Sequence, residues 1–280
     1  MDLTIFLAVI LAALLHASWN LIVKLNLDRF LALFLIQTMM GVLGMGMLLA
    51  FAFPAPASWP YAITSGILHT GYNLFLARSY QTGDLSQVYP IARGTAPLMT
   101  LAGTWALAGE AVTPLTGAGI LLLVIGIWAT AISKERRFRL DGLTLFFALG
   151  TSVFVAAYTI VDGLGARVSG SPSGYAGLGF ALDGALLLAV GIRMRGIGII
   201  RTVAPYWKSG AVGAVLSAVA YWIVIWAMTL APIAAVAALR ESSILFVMLM
   251  SLFILKERVT WGRMAGGVLI VAGAAALRLA

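Results

Sequence analysis

Cysteine is absent from the 280 residues, and charged side chains make up only 10% of them. The first absence excludes disulfides, thiolate metal sites and a cysteine nucleophile. The second excludes a soluble domain, which carries about 25% charged residues. A chain that is 62% apolar, with a mean hydropathy of +1.03, cannot coat a water-facing surface. Histidine occurs twice, as His16 and His69, with no Asp or Glu at ligand spacing, so no metal site and no metal-assisted enzyme are expected. The Gly-x-x-x-x-Gly-Lys-Ser/Thr loop that cradles nucleotide phosphates is missing, and no cofactor is expected. Long polar-apolar alternation is missing too, which excludes a transmembrane barrel.

What remains is a succession of apolar runs. A helix that rises about 1.5 Å per residue needs about 20 residues to cross roughly 30 Å of hydrocarbon. No Asp, Glu, Lys or Arg occurs between Phe30 and Ala77, and the Pro54 to Pro60 stretch splits that run in two. The same reading along the chain predicts an all-α polytopic membrane protein of ten spans, at about 3–25, 29–53, 60–81, 84–107, 113–133, 140–163, 173–192, 205–230, 232–255 and 260–279. The net charge of +8 lies between the runs, as loop charge that orients a membrane protein and not as a nucleic-acid patch. The odd connections hold Lys24, Arg29, Lys134, Arg136, Arg137, Arg139, Arg193, Arg195, Arg201, Lys208, Lys256, Arg258 and Arg263, against Arg167 and Arg278 on the other side. This bias predicts cytoplasmic odd loops and both termini outside. The start, Met1-Asp2-Leu3-Thr4, lacks the basic region of a secretory signal, so the first run reads as a span.

Sliding the sequence by 147 residues aligns spans 3–5 with spans 8–10, with thirteen identities. Most are residues that any two membrane helices share. Arg93 with Arg240 and Glu110 with Glu257 are rarer and carry the alignment. A five-span unit is odd, so its second copy enters the membrane from the opposite side. Residues 1–135 and 136–280 then form two inverted repeats, a construction of secondary transporters with the substrate site between the halves near the midplane.

Ten spans in two halves, each with a fourth span ending in Glu-x-x-Thr (Glu110 to Thr113, Glu257 to Thr260) and a glycine-rich fifth, resemble the drug/metabolite transporter superfamily and, within it, the bacterial EamA-type exporters. The resemblance implies a multi-pass protein of the bacterial inner membrane. It also implies export of amino acids or other small metabolites, and a central cavity lined by spans 1, 3, 4, 6, 8 and 9, with spans 5 and 10 behind it.

Ionisable groups inside a span cost about 2.5–3.5 kcal/mol on insertion scales, so each needs a reason. Arg93 shares a stripe of span 4 with Tyr89 and Ala96, beside Pro90 and Pro97; it either pairs with a substrate carboxylate or phosphate or holds an internal acid. His69, Tyr72 and Asn73 lie on one polar-aromatic face of span 3, either lining the cavity or bonding between helices. Trp19 and Asn20, with His16 and Lys24, repeat the pattern in span 1. Tyr158 and Thr159 in span 6, and Tyr221 and Trp222 in span 8, are further aromatic or polar candidates. Arg240 is the repeat-mate of Arg93, whereas Glu241 stands opposite Gly94. Being about 100° apart on a helix, Arg240 and Glu241 are not expected to pair. Glu241 is a candidate for holding a substrate ammonium, for neutralising Arg93 or for proton coupling, and Asp183 for proton coupling or a structural hydrogen bond. Glu110 and Glu257 read as turn-capping residues. The small-residue surfaces of Gly117, Gly119 and Gly126 in span 5 and of Gly262 and Gly266 in span 10 suit close helix contact, within one chain or in a homodimer; the monomer is the simpler reading. The expected partners are a small-molecule substrate and the lipid bilayer.

Overall fold

A computed structural model of the protein describes residues 1–23, 29–82, 85–131, 141–253 and 260–280, apart from a few side chains at helix ends. The loop charges of Lys24, Lys134, Arg136, Arg137, Arg139, Lys256 and Arg258, the repeat-mate Glu257, the division at 135/136 and the side chains of Arg29 and Tyr89 lie outside the described residues.

The described residues are helical and form no strand. The helices are α1 (Leu3–Val23), α2 (Arg29–Ala50), α3 (Trp59–Thr82), α4 (Leu85–Ala108), α5 (Pro114–Ala131), α6 (Gly142–Val168), α7 (Pro172–Arg195), a short α8 (Gly198–Val203), α9 (Trp207–Leu230), α10 (Ile233–Arg240), α11 (Ser243–Phe253) and α12 (Trp261–Leu279). Seven stretches are long and apolar enough to cross a membrane, with α8–α9 and α10–α11 each counted as one. α3 and α4 fall short because they carry polar groups such as Ser65, His69, Asn73 and Arg93. α5 falls short on described length.

Three boundaries depart from the expected spans. α6 runs on to Val168 instead of stopping near 163, because Asp162 and Arg167, which look like loop charges, find partners inside the bundle. A short helix, α8, precedes span 8. The ninth span is broken into α10 and α11 at Glu241–Ser242, where amide bonds reach back three residues, Glu241 N to Ala238 O at 3.0 Å and Ser242 N to Leu239 O at 3.1 Å. Such tightening marks a local departure from the α-helix.

Helix pairing is nearly unchanged when each span n is exchanged for n+5. α3 packs on α6 as α9 packs on α1, α4 on α6 as α10 and α11 on α1, and α3 on α7 as α9 on α2; α2–α7, α4–α10 and α5–α12 map onto themselves. The glycines make the relation concrete. Gly119 and Gly126 align with Gly266 and Gly273 in the 147-residue offset, and in the fold Gly119 faces Gly273 while Gly126 faces Gly266. A Cβ on Gly126 would lie 2.8 Å from the Gly266 carbonyl oxygen, and one on Gly273 would lie 2.7 Å from that of Gly119. The two helices therefore run antiparallel at backbone contact, which only glycine permits. Gly41 and Gly184 make the same close approach between α2 and α7. The termini meet: the Met1 ammonium donates to Arg278 O at 3.2 Å, and the Arg278 guanidinium donates back to Met1 O.

Candidate functional site

The polar residues of the spans converge on the middle of the bundle in two linked groups. The first is built by α1, α4 and the break between α10 and α11. Every residue of α10 is buried, and it delivers Arg240 and Glu241 to the same place as Arg93. Glu241, 1% exposed, holds two guanidinium groups. Arg93 Nε is 3.0 Å from Oε2, and Arg240 Nη2 is 3.6 Å from Oε1. The expectation that Arg240 and Glu241 would not pair is thus corrected: at the end of the buried α10 both side chains reach the same enclosed place. Arg93 Nη2 also donates to His16 Nε2 at 2.9 Å, and Trp19 packs edge-on against His16 with centroids 5.2 Å apart. Asn20 is turned to its own helix, donating to His16 O.

Arg93 and Arg240, equivalent in the repeat, therefore meet on one acid supplied by one half alone. Position 94, the mate of 241, has no room for a counterpart, since a Cβ there would run into the Trp128 indole. At the helix break the Arg240 Nε and the hydroxyls of Ser242 and Ser243 are buried and have no hydrogen-bond partner among the described residues. Two buried cations share one anion beside unmet donors, so this group attracts negative charge.

The second group lies across Tyr221. The Arg240 guanidinium sits over the Tyr221 ring, 5.7 Å from its centroid, while the Tyr221 hydroxyl donates to Asp162 Oδ2 at 2.6 Å. Tyr175 donates to the other oxygen of Asp162 at 3.1 Å. His69 stacks on Tyr158, centroids 3.9 Å apart, and meets Tyr221 edge-on at 5.5 Å. His69 Nδ1 is 3.0 Å from the Ser65 carbonyl oxygen and 3.1 Å from the Ser65 hydroxyl. Tyr72 meets Tyr158 edge-on at 5.7 Å. Asn73, 3% exposed, has an amide nitrogen without a partner among the described residues. Asp183, 3% exposed, accepts from Gln37 Nε2 at 2.6 Å. A small cavity is lined in part by Ser65, His69, Asp162, Asp183 and Tyr221.

The fold thus gathers His69, Tyr158, Tyr221, Arg93, Arg240, Glu241 and Asp183 into one continuous cluster, with Trp19 behind His16 and Tyr72 against Tyr158. Thr159 and Trp222 point elsewhere, Thr159 to Val155 O and Trp222 to the Ser173 hydroxyl. Asp162 and Gln37 are members that the sequence reading did not single out. Asp162 lies four residues after Tyr158, on its face of the helix, and the cost of an intramembrane charge would have flagged it had the span been drawn to Val168.

On the face of the bundle that holds the even connections, Arg167 closes a clasp. It donates to Glu110 Oε1 at 2.6 Å, to Met228 O at 2.9 Å and to Ala231 O at 3.1 Å, and Glu110 Oε1 also accepts from the Ile233 amide at 3.0 Å. Glu110 is therefore a structural acceptor, tying the α4–α5 turn to α6 and to the start of α10.

The EamA-like transporter family model matches residues 142–279. Over those residues the chain is similar to the EamA-like transporter family. These helices are those of a multi-pass membrane protein, and the family is one of membrane transporters of the drug/metabolite type. A solved structure titled only "Crystal structure of protein" is similar over 100% of this chain and 98% of its own, with a TM-score of 0.81 and 20% sequence identity, a likeness of fold. No curated protein matches.

Proposed function

We propose that this EamA-like protein is a secondary transporter and not an enzyme, and that it exports small amphipathic metabolites, amino acids first among them, from a bacterial cytoplasm by alternating access. The halves 1–135 and 136–280 act as two inverted repeats that rock about the polar cluster, with both termini outside. The observation that carries this reading is the pair of repeat-equivalent arginines sharing the single carboxylate of Glu241 at a broken helix. A substrate carboxylate there supplies the second negative charge and accepts from the donors left unmet on Arg240, Ser242 and Ser243. Broken helices at the meeting of two repeats are where transporters hold charged substrate groups. Tyr72, Tyr158 and Trp19 offer aromatic surface to an apolar side chain, with His69 and Asn73 as hydrogen-bonding groups and Tyr89 and Asn20 as further lining. Substrate binding loosens Arg93 and Arg240 from Glu241, and the clasp of Arg167 on Glu110 holds the outer face shut until then. Glu241 and Asp183 are the groups through which a proton gradient would act. No further cofactor or protein partner is required, and the protein works as a monomer in the bilayer.

Two guanidinium groups also suit a phosphate ester, and one assay separates the two readings. Purified protein in proteoliposomes is preloaded with unlabelled phenylalanine or with a sugar phosphate, and accumulation of the labelled compound is followed with and without a pH gradient. Counterflow of phenylalanine supports the amino-acid reading. Counterflow of the phosphate ester alone replaces it, and flux of neither refutes both.

A further inference from the structure

Asp162 and Asp183 come from different helices, α6 and α7, yet line one cavity. They are 2% and 3% exposed. Two carboxylates facing one space away from water repel each other, and burial of each is costly unless something positive answers it. Of the groups on the walls only His69 can carry positive charge: among the described residues no Lys or Arg lines the cavity and neither acid has an ion-pair partner. Asp162 is held from behind by the hydroxyls of Tyr175 and Tyr221. Asp183 gives one oxygen to Gln37, while its other oxygen, Oδ1, is buried and without a hydrogen-bond partner among the described residues. The remaining wall is aromatic, with His69 and Tyr221 edge to face and Phe180 tilted against Tyr221 at 6.3 Å. Ring faces attract cations, most strongly where water is excluded. Acid floor, aromatic wall and an orphaned acceptor together make a site for a positively charged group that donates hydrogen bonds.

Tyr221 sets this cavity against the arginine pair, with its hydroxyl on Asp162 and its ring under Arg240. One side of the ring is rich in negative charge and the other in positive charge, an arrangement complementary to a dipolar solute. We propose that the cavity bounded by Asp162, Asp183, His69 and Tyr221 is the subsite for the ammonium group of the substrate, with Asp183 Oδ1 as its direct acceptor. The proposal rests on the amino-acid reading above and moves the ammonium from Glu241, which two arginines already hold, to the far side of Tyr221.

The test uses the full chain in lipid nanodiscs and three probes: phenethylamine, which has the ammonium but no carboxylate; 3-phenylpropionate, which has the carboxylate but no ammonium; and sodium ion. Asp183→Asn keeps the oxygen that accepts from Gln37, and Asp162→Asn keeps an oxygen for one of its two tyrosine hydroxyls and turns an amide NH2 toward the other. Phenethylamine binds the wild type, and each variant weakens it by about tenfold or more, the scale of one charged hydrogen bond lost, while 3-phenylpropionate binding and the thermal midpoint stay put. Arg93→Gln gives the reverse pattern. Phenethylamine binding that is equal in wild type, Asp183→Asn and Asp162→Asn overturns the subsite, and an arginine-dependent 3-phenylpropionate signal in that same experiment leaves the transport reading standing. Acid-dependent phenethylamine binding without any binding of 3-phenylpropionate or phenylalanine upholds the subsite and sinks the amino-acid reading. Sodium that binds with the same acid dependence and displaces phenethylamine overturns the proposal in favour of an inorganic cation site.

Discussion

Replacing Glu241 by Gln removes the one anion that two buried guanidinium groups share. At 3.0 Å, and with an effective dielectric of about 20, a single pair attracts by roughly 5 to 6 kcal/mol before desolvation is counted. Desolvation offsets much of that in the intact protein, but it is not recovered when one partner is deleted: breaking a buried pair costs about 3–5 kcal/mol because the remaining charge stays buried. Here two charges remain, Arg93 and Arg240, at 3% and 4% exposure, and only Arg93 has a second acceptor in His16 Nε2. Glu241→Gln is therefore expected to lower stability by about 3 kcal/mol or more, with Arg240 the more strongly affected partner. Thermal unfolding in detergent, followed through the eight tryptophans, should show a midpoint lower by about 5 °C or more. The double variant Arg240→Gln with Glu241→Gln should recover a substantial part of the loss, since it no longer strands that cation. A single variant as stable as wild type, or a double variant whose losses simply add, would refute the claim that Glu241 neutralises the pair.

Gly126→Val inserts a side chain where a Cβ is already 2.8 Å from the Gly266 carbonyl; overpacking of about 1–3 kcal/mol should appear as a lower midpoint in an unchanged oligomeric state, and a shift to monomer would place that glycine in a dimer interface instead. Glu110→Ala strands the Ile233 amide and frees Arg167, a loss of about 1.5–3 kcal/mol by the scale of charged hydrogen bonds; faster hydrogen exchange confined to the start of α10 and the end of α6 is the expected signature, and unchanged exchange there contradicts the clasp. Asp141 caps α6 by accepting from the Thr144 amide at 2.8 Å, and the Thr144 hydroxyl together with that amide holds its carboxyl below the ordinary value of 3.8. Its support of the helix start is present above that value and lost as pH falls through the lowered one. Protection of the Thr144 amide, its exchange rate relative to the intrinsic rate at each pH, should fall on acidification below about pH 3.8 in wild type and stay constant in Asp141→Asn; equal protection profiles would exclude this cap.

The helical class and most span positions were legible because twenty-odd residues without charge leave a chain few alternatives in lipid. The equivalence of Arg93 and Arg240, and of Gly119 and Gly126 with Gly266 and Gly273, was likewise written in the 147-residue offset. The break in the ninth span was not, because Ala-Ala-Val-Ala-Ala-Leu-Arg-Glu-Ser-Ser contains neither Pro nor Gly, and its tight turn answers to the charges that Arg93 brings from α4. Asp162 was missed for a related reason: a charge near an expected helix end looks topogenic until tertiary partners, here Tyr175 and Tyr221, extend the helix around it. Pairings between distant helices, such as Gln37 with Asp183, leave no periodic trace in either segment.

Alternating access to the polar cluster is tested most directly by labelling. The chain has no cysteine of its own, and Gly179 lines the cavity with open space where a Cβ would go. A Gly179→Cys protein in right-side-out and in inverted vesicles, treated with a membrane-impermeant maleimide, should be labelled from both faces, with phenylalanine shifting the ratio of the two rates. Labelling confined to one face whatever the ligand would contradict it.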